Sequence, residues 1–84
     1  NHMYHLSKDL LASRGMDFNL LNPLIEETAA KVLEMDPALA QTGPASRNDR
    51  EIILGHIELL KAHPELQKIY TFVSDSITNH FSSR

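Results

Sequence analysis

The chain has no cysteine and no tryptophan, and only three of its 84 residues are glycine. Without cysteine, neither a disulfide framework nor a thiolate zinc site can stabilise it. The glycines stand at Gly15, Gly43 and Gly55, so no G-x-G-x-x-G phosphate turn exists. A basic excess is also missing. Eight Lys and Arg face eleven Asp and Glu, for a net charge of −3, which argues against a nucleic-acid partner. No apolar run approaches the roughly 18 residues that cross a bilayer, and no basic-then-apolar signal segment opens the sequence. These absences predict a cytoplasmic protein with neither membrane nor nucleic acid among its partners.

What remains is an ordinary globular composition, 42% apolar and 23% charged. A domain this short buries only about 60–65% of its unfolded surface, so its core is thin and oligomerisation is one way to support it. A complete nucleotide-dependent enzyme needs about 150 residues or more. A chain of this length is expected to be part of such an enzyme or no enzyme at all.

The patterning is all-α, with about four helices and no strand-like alternation. Asn1 to Arg14 places Met3, Leu6, Leu10 and Leu11 on one helical face, and Gly15 after Arg14 reads as the stop. The periodic face begins without a cap. Asn1-His2-Met3 is therefore either the remnant of a tag or the interior of a longer helix cut at residue 1. Asp17 to Leu21 predicts a short turn. The second helix is expected from Asn22 as cap, with Pro23 in the first position. Its broad, mostly apolar set, Leu21, Leu24, Ile25, Thr28, Ala29, Val32, Leu33 and Met35, predicts burial on two sides, in a bundle or against another chain. Asp36 to Arg47 reads as a loop. Asn48 with Glu51 suggests a capping box for the third helix, whose buried stripe is Ile53, Ile57 and Leu60. Pro64 opens a fourth helix carrying Leu66, Ile69, Tyr70, Val73, Ile77 and Phe81, the cleanest amphipathic repeat in the chain. Ser82-Ser83-Arg84 reads as a frayed end.

Four groups of residues invite a chemical reading. His2, His5 and Asp9 share a face with metal-ligand spacing, although no matching cluster appears elsewhere and a solvated face explains them better. Glu26, Glu27 and Glu34 lack the Glu-x-x-His partners of a di-metal bundle, so no metal is expected. His56 sits at the edge of the buried stripe, where a histidine either completes a core-edge hydrogen bond or faces a cleft. The loop Thr42-Gly43-Pro44-Ala45-Ser46-Arg47-Asn48-Asp49 holds the densest chemistry. Gly43 permits close backbone approach, Arg47 offers a fork for a carboxylate or phosphate, and the start of the third helix favours an anion. Equally, the loop could be an ordinary capped connection with Arg47 paired to Asp49 or Asp36.

Several stretches carry a resemblance in order and with matching gaps. They are Leu24 to Ala29, Ala40 to Asp49, His56 to Leu60, Pro64-Glu65-Leu66 and Tyr70. The most specific element is T-G-P-x-x-R-x-D from Thr42 to Asp49, followed by His56 seven residues after the aspartate. Together they resemble the helical C-terminal domain of a bacterial family of Rossmann-like oxidoreductases, domain of unknown function 2520. Family members more often have glycine where this chain has Asn48. The resemblance implies a fold similar to the C-terminal domain of 6-phosphogluconate dehydrogenase and a homodimer. It also implies an N-terminal Rossmann domain in the same protein, with NADP or NAD as the cofactor of the whole and none in this fragment. It favours a native first helix truncated at residue 1.

On this basis the chain is a single all-α domain, residues 1–84. Its expected role is the dimerisation and substrate-side domain of an NAD(P)-dependent oxidoreductase, inactive alone. Thr42, Gly43, Pro44 and Arg47 line the cleft in this reading, and Arg47 holds a small anionic substrate. Asp49 orients Arg47, and His56 acts as orienter or proton relay. A free-standing helical protein-interaction module, binding through the wide face of the second helix, is the alternative. A helix-turn-helix nucleic-acid binder is disfavoured because only Arg47, Arg50 and Lys61 flank the third helix, among acidic neighbours.

Overall fold

A computed structural model of the chain describes residues 1–82, and the last two residues of the expected frayed end lie outside the described residues. The described chain is all-α, as the patterning predicts. It contains α1 (His2–Ser13), a 3-10 turn (Phe18–Leu21), α2 (Asn22–Glu34), α3 (Pro37–Ala40), α4 (Arg50–Leu59) and α5 (Pro64–Ser82). These elements fall into two compact units, Asn1–Ala40 and Gln41–Arg84.

In the first unit, α1 ends at the Gly15 stop that the sequence predicts. Gly15 sits at φ +69, its N–H reaches Ala12 O at 3.0 Å, and Met16 N–H reaches Leu11 O at 2.9 Å. This pair of bonds is a Schellman motif, which needs a left-handed residue that glycine supplies without a Cβ penalty. Asp17 then starts the 3-10 turn by accepting from Asn19 N–H at 2.7 Å. Tyr4 on α1 meets Phe18 edge-on, with centroids 6.4 Å apart.

The start of α2 differs from expectation. Leu21, not Asn22, stands at the cap position, and no side chain caps the helix. The 3-10 turn runs straight into α2, so Asn22 is already helical at φ −54, ψ −48 and lacks the extended backbone of a capping residue. The single turn α3 was hidden in the expected loop. There Asp36 Oδ1 accepts from Ala38 N–H at 2.8 Å and Pro37 takes the first position, so a proline that reads as a breaker opens a helix instead.

In the second unit, α4 and α5 form an antiparallel hairpin closed by Leu60 and His63. His63 N–H donates to Leu60 O at 2.8 Å and Gln67 N–H to His63 O at 2.9 Å. The core lies here, with Ile53 1% exposed, Ala45 5%, Ser74 6% and Leu60 9%. Ile57, Leu66, Ile69, Tyr70 and Ile77 are half-buried around it. Gln67 Nε2 donates to Ile57 O across the hairpin at 2.9 Å. The cap of α4 is Asp49 rather than Asn48, and its Oδ1 accepts from Ile52 N–H at 3.3 Å. Asn48 occupies φ +53, a left-handed conformation that glycine enters freely and asparagine tolerates. The left-handed backbone, and not a capping role, is what this position asks of its residue.

Candidate functional site

The Thr42–Asp49 loop is built from hydrogen bonds to its own carbonyls. Gln41 Nε2 donates to Thr42 O at 2.8 Å, and Ser46 Oγ donates to Gly43 O at 2.8 Å. Pro44 O accepts twice, from Arg47 N–H at 3.2 Å and from Asp49 N–H at 2.9 Å. Gly43 stands at φ +99, and a Cβ built there would meet no atom within 4 Å. The glycine is therefore required by backbone conformation and not by crowding. Ala45 is buried, and its carbonyl accepts from Thr78 Oγ1 of α5 at 2.9 Å. The loop is thus pinned to the hairpin at its centre.

This bonding sorts the predicted site residues. Gly43, Pro44 and Asp49 shape the backbone. Thr42 and Arg47 are exposed. Among the described residues of its own unit Arg47 forms no ion pair, and none with Asp49. The carboxylate of Asp49 already occupies the positive end of α4, so an external anion at the first turn would meet a like charge. Arg47 is the exposed cationic side chain of the Thr42–Asp49 stretch. Its neighbour Arg50 lies 3.9 Å from Asp75, with both side chains more than half exposed, a separation that contributes little.

His56 projects from α4 two helical turns beyond Asp49, about 10 Å along the same face. Its Nδ1 lies 2.6 Å from the hydroxyl of Tyr70 on α5. The two rings meet edge-on, centroids 5.6 Å apart and planes at 75°, and both residues are half-buried. The core-edge hydrogen bond is one of the two placements the sequence offers for His56, and Tyr70, known from the sequence only as part of the fourth-helix pattern and the family resemblance, is its partner. The signal was present in the hairpin register: His56 with Tyr70, Ile57 with Gln67 and Arg50 with Asp75 all straddle the turn around Lys61 to His63.

The remaining groups carry less. His2 and His5 rings lie 6.0 Å apart, and His5 Nε2 is 3.5 Å from Asp9 Oδ2 on an exposed face. Glu27 pairs with Lys31 at 3.4 Å, also exposed. Among the described residues, no three His, Asp or Glu side chains converge as a metal site. The hydrogen bond from Lys61 Nζ to Glu58, at 2.9 Å, together with the carboxylate charge, raises the Lys61 pKa above its usual value. That pair lies at the far end of α4 from the loop. A shallow groove of about 510 Å³ runs between α4 and α5, lined by Ile57, Gln67, Lys68, Thr71, Phe72 and Asp75, and includes neither Arg47 nor His56. No helix among the described residues is long and apolar enough to cross a membrane.

Comparison with known proteins agrees with this architecture. No curated protein matches the chain. The crystal structure of a putative NADP oxidoreductase from Bacteroides fragilis superposes with a TM-score of 0.90 at 44% identity, over 94% of this chain and 30% of that one. This chain therefore spans under a third of that protein's length. The family model for Domain of unknown function (DUF2520) matches residues 1–77, a span that takes in the T-G-P-x-x-R-x-D loop, His56 and Tyr70. By that match the chain belongs to the DUF2520 family.

Proposed function

We propose that this chain is the substrate-side and dimerisation domain of an NAD(P)-dependent oxidoreductase. The observation that carries this reading is the 44% identity, over 94% of the chain, to a protein described as a putative NADP oxidoreductase. The chain has no glycine-rich phosphate turn, so NADP or NAD belongs to a Rossmann domain elsewhere in the same protein. When bound, the nucleotide supplies the hydride chemistry. The residues here bind and orient substrate.

In this reading Thr42, Gly43, Pro44 and Arg47 line the substrate side. Arg47, exposed and free of an ion pair among the described residues of its own unit, holds a small anionic group through its planar fork. Asp49 supports it indirectly, by capping α4 through its carboxylate and closing the turn through its N–H, which donates to Pro44 O. His56, held by Tyr70, addresses the substrate further along α4. The second copy covers α2, where Leu24 is 61% exposed and Leu33 85%. No residue of the Asn1–Ala40 unit is buried, and that much exposed apolar surface on one element marks an interaction face.

The gene upstream of residue 1 tests the reading at once. It is expected to encode a strand, a glycine-rich turn and a helix in that order. A coding sequence without that unit contradicts the oxidoreductase assignment and leaves the interaction-module reading in its place.

A further inference from the structure

One hydrogen lies on the 2.6 Å line between His56 Nδ1 and the Tyr70 hydroxyl, and its owner determines what the other ring nitrogen can do. In the neutral pair the phenol O–H is the good donor, and the unprotonated ring nitrogen is the good acceptor. When the hydroxyl donates, Nδ1 holds no hydrogen, and the imidazole must carry its own on Nε2. Nε2 makes no hydrogen bond among the described residues. None of their side-chain polar atoms is both buried and without a partner, so Nε2 opens to solvent. A nitrogen with a fixed hydrogen and an open approach is a ready donor to a ligand.

We propose that Tyr70 is a positioning residue that locks His56 as the Nε2–H tautomer, so that neutral His56 donates a hydrogen bond to a ligand oxygen, a carbonyl or carboxylate, instead of accepting a proton. The inference rests on the substrate-side reading above for its ligand and narrows the role of His56 from orienter or proton relay to donor. Arg47 stands near the capped end of α4 and His56 about two turns along it. The pair suits an elongated ligand with an anionic group at one end and an oxygen acceptor away from it. Nothing in this arrangement needs the ring to be charged.

Ring-nitrogen NMR of the 15N-labelled chain, in the neutral form at about pH 8, reads the tautomer directly. His2, exposed on α1 and without a tyrosine partner, serves as the internal reference. The expected spectrum shows His56 with hydrogen on Nε2 alone, while His2 shows the averaged signals of both tautomers. Tyr70→Phe keeps the ring packing and removes the donor, so His56 then approaches the averaging seen for His2. A His56 that carries its hydrogen on Nδ1, or a tautomer ratio identical in Tyr70→Phe and the unmutated chain, overturns the proposal. If the variant does not fold, coupling of the Tyr70 hydroxyl hydrogen across to Nδ1 in the unmutated chain decides the same point. A hydrogen bonded to Nδ1 is the overturning result there. These spectra read the tautomer whether or not the full-length protein binds a nicotinamide nucleotide, so the two readings fail separately.

Discussion

Gly43 and Asn48 both hold positive φ inside one eight-residue loop, and the two positions respond to substitution in opposite directions. A Cβ at Gly43 meets open space, so Gly43→Ala loses only the backbone term, about 1–2 kcal/mol. Asn48→Gly relieves the left-handed conformation and is expected to be neutral or to gain up to about 1 kcal/mol. Urea denaturation of the two variants checks both signs. Asp49 separates the two roles offered for it. As the α4 cap it tolerates Asp49→Asn, because asparagine caps equally well, while Asp49→Ala loses about 1 kcal/mol. Equal losses in both variants would point to its charge and away from the cap. The loop was legible in the sequence as a site of dense chemistry, and Asp49 as a residue that belongs to it. Which residues build the backbone and which face solvent was not legible, because that division depends on φ angles and on the Thr78 bond from α5.

At the scale of elements, the α4–α5 hairpin carries the core, and Ile53 is its most buried residue at 1% exposed. Ile53→Ala is expected to lose about 2–4 kcal/mol, the transfer and cavity cost of a buried aliphatic side chain. The same change at Leu54, which is 55% exposed, is expected to stay under about 1 kcal/mol. Thermal or urea unfolding of the pair measures the contrast. The long elements were readable because apolar spacing and prolines act locally: Pro64 opens α5 and Gly15 closes α1. Structure and pattern differ at boundaries where a neighbouring element intrudes. The 3-10 turn carries helical backbone into Asn22, and the Asp36 side chain converts Pro37 from a breaker into a start. The His56–Tyr70 pair follows from the hairpin register, which needs the fold of the turn as well as the pattern of either helix.

For the whole molecule, the broad apolar face predicted for α2 is real, but little of it is covered: Leu24, Val32, Leu33 and Met35 are all exposed. Apolar spacing alone does not name its cover, since a bundle interior and a partner surface need the same residues. In the function proposed above, a second copy covers it. Light scattering of the chain is then expected to show a dimer, and Leu24→Asp a shift toward monomer. A monomer at micromolar concentration with a folded far-UV signal favours the interaction-module reading. The proposed role places this domain on the substrate side of a nicotinamide-dependent oxidoreductase. Its most direct test is NADPH oxidation by the full-length protein, over a panel of anionic carbonyl compounds, with Arg47→Ala alongside. NADPH-dependent turnover of at least one such compound is expected, with a KM raised about tenfold or more in Arg47→Ala, the effect of one lost charge-assisted contact. Absence of NADPH turnover, or an unchanged KM in the variant, contradicts it.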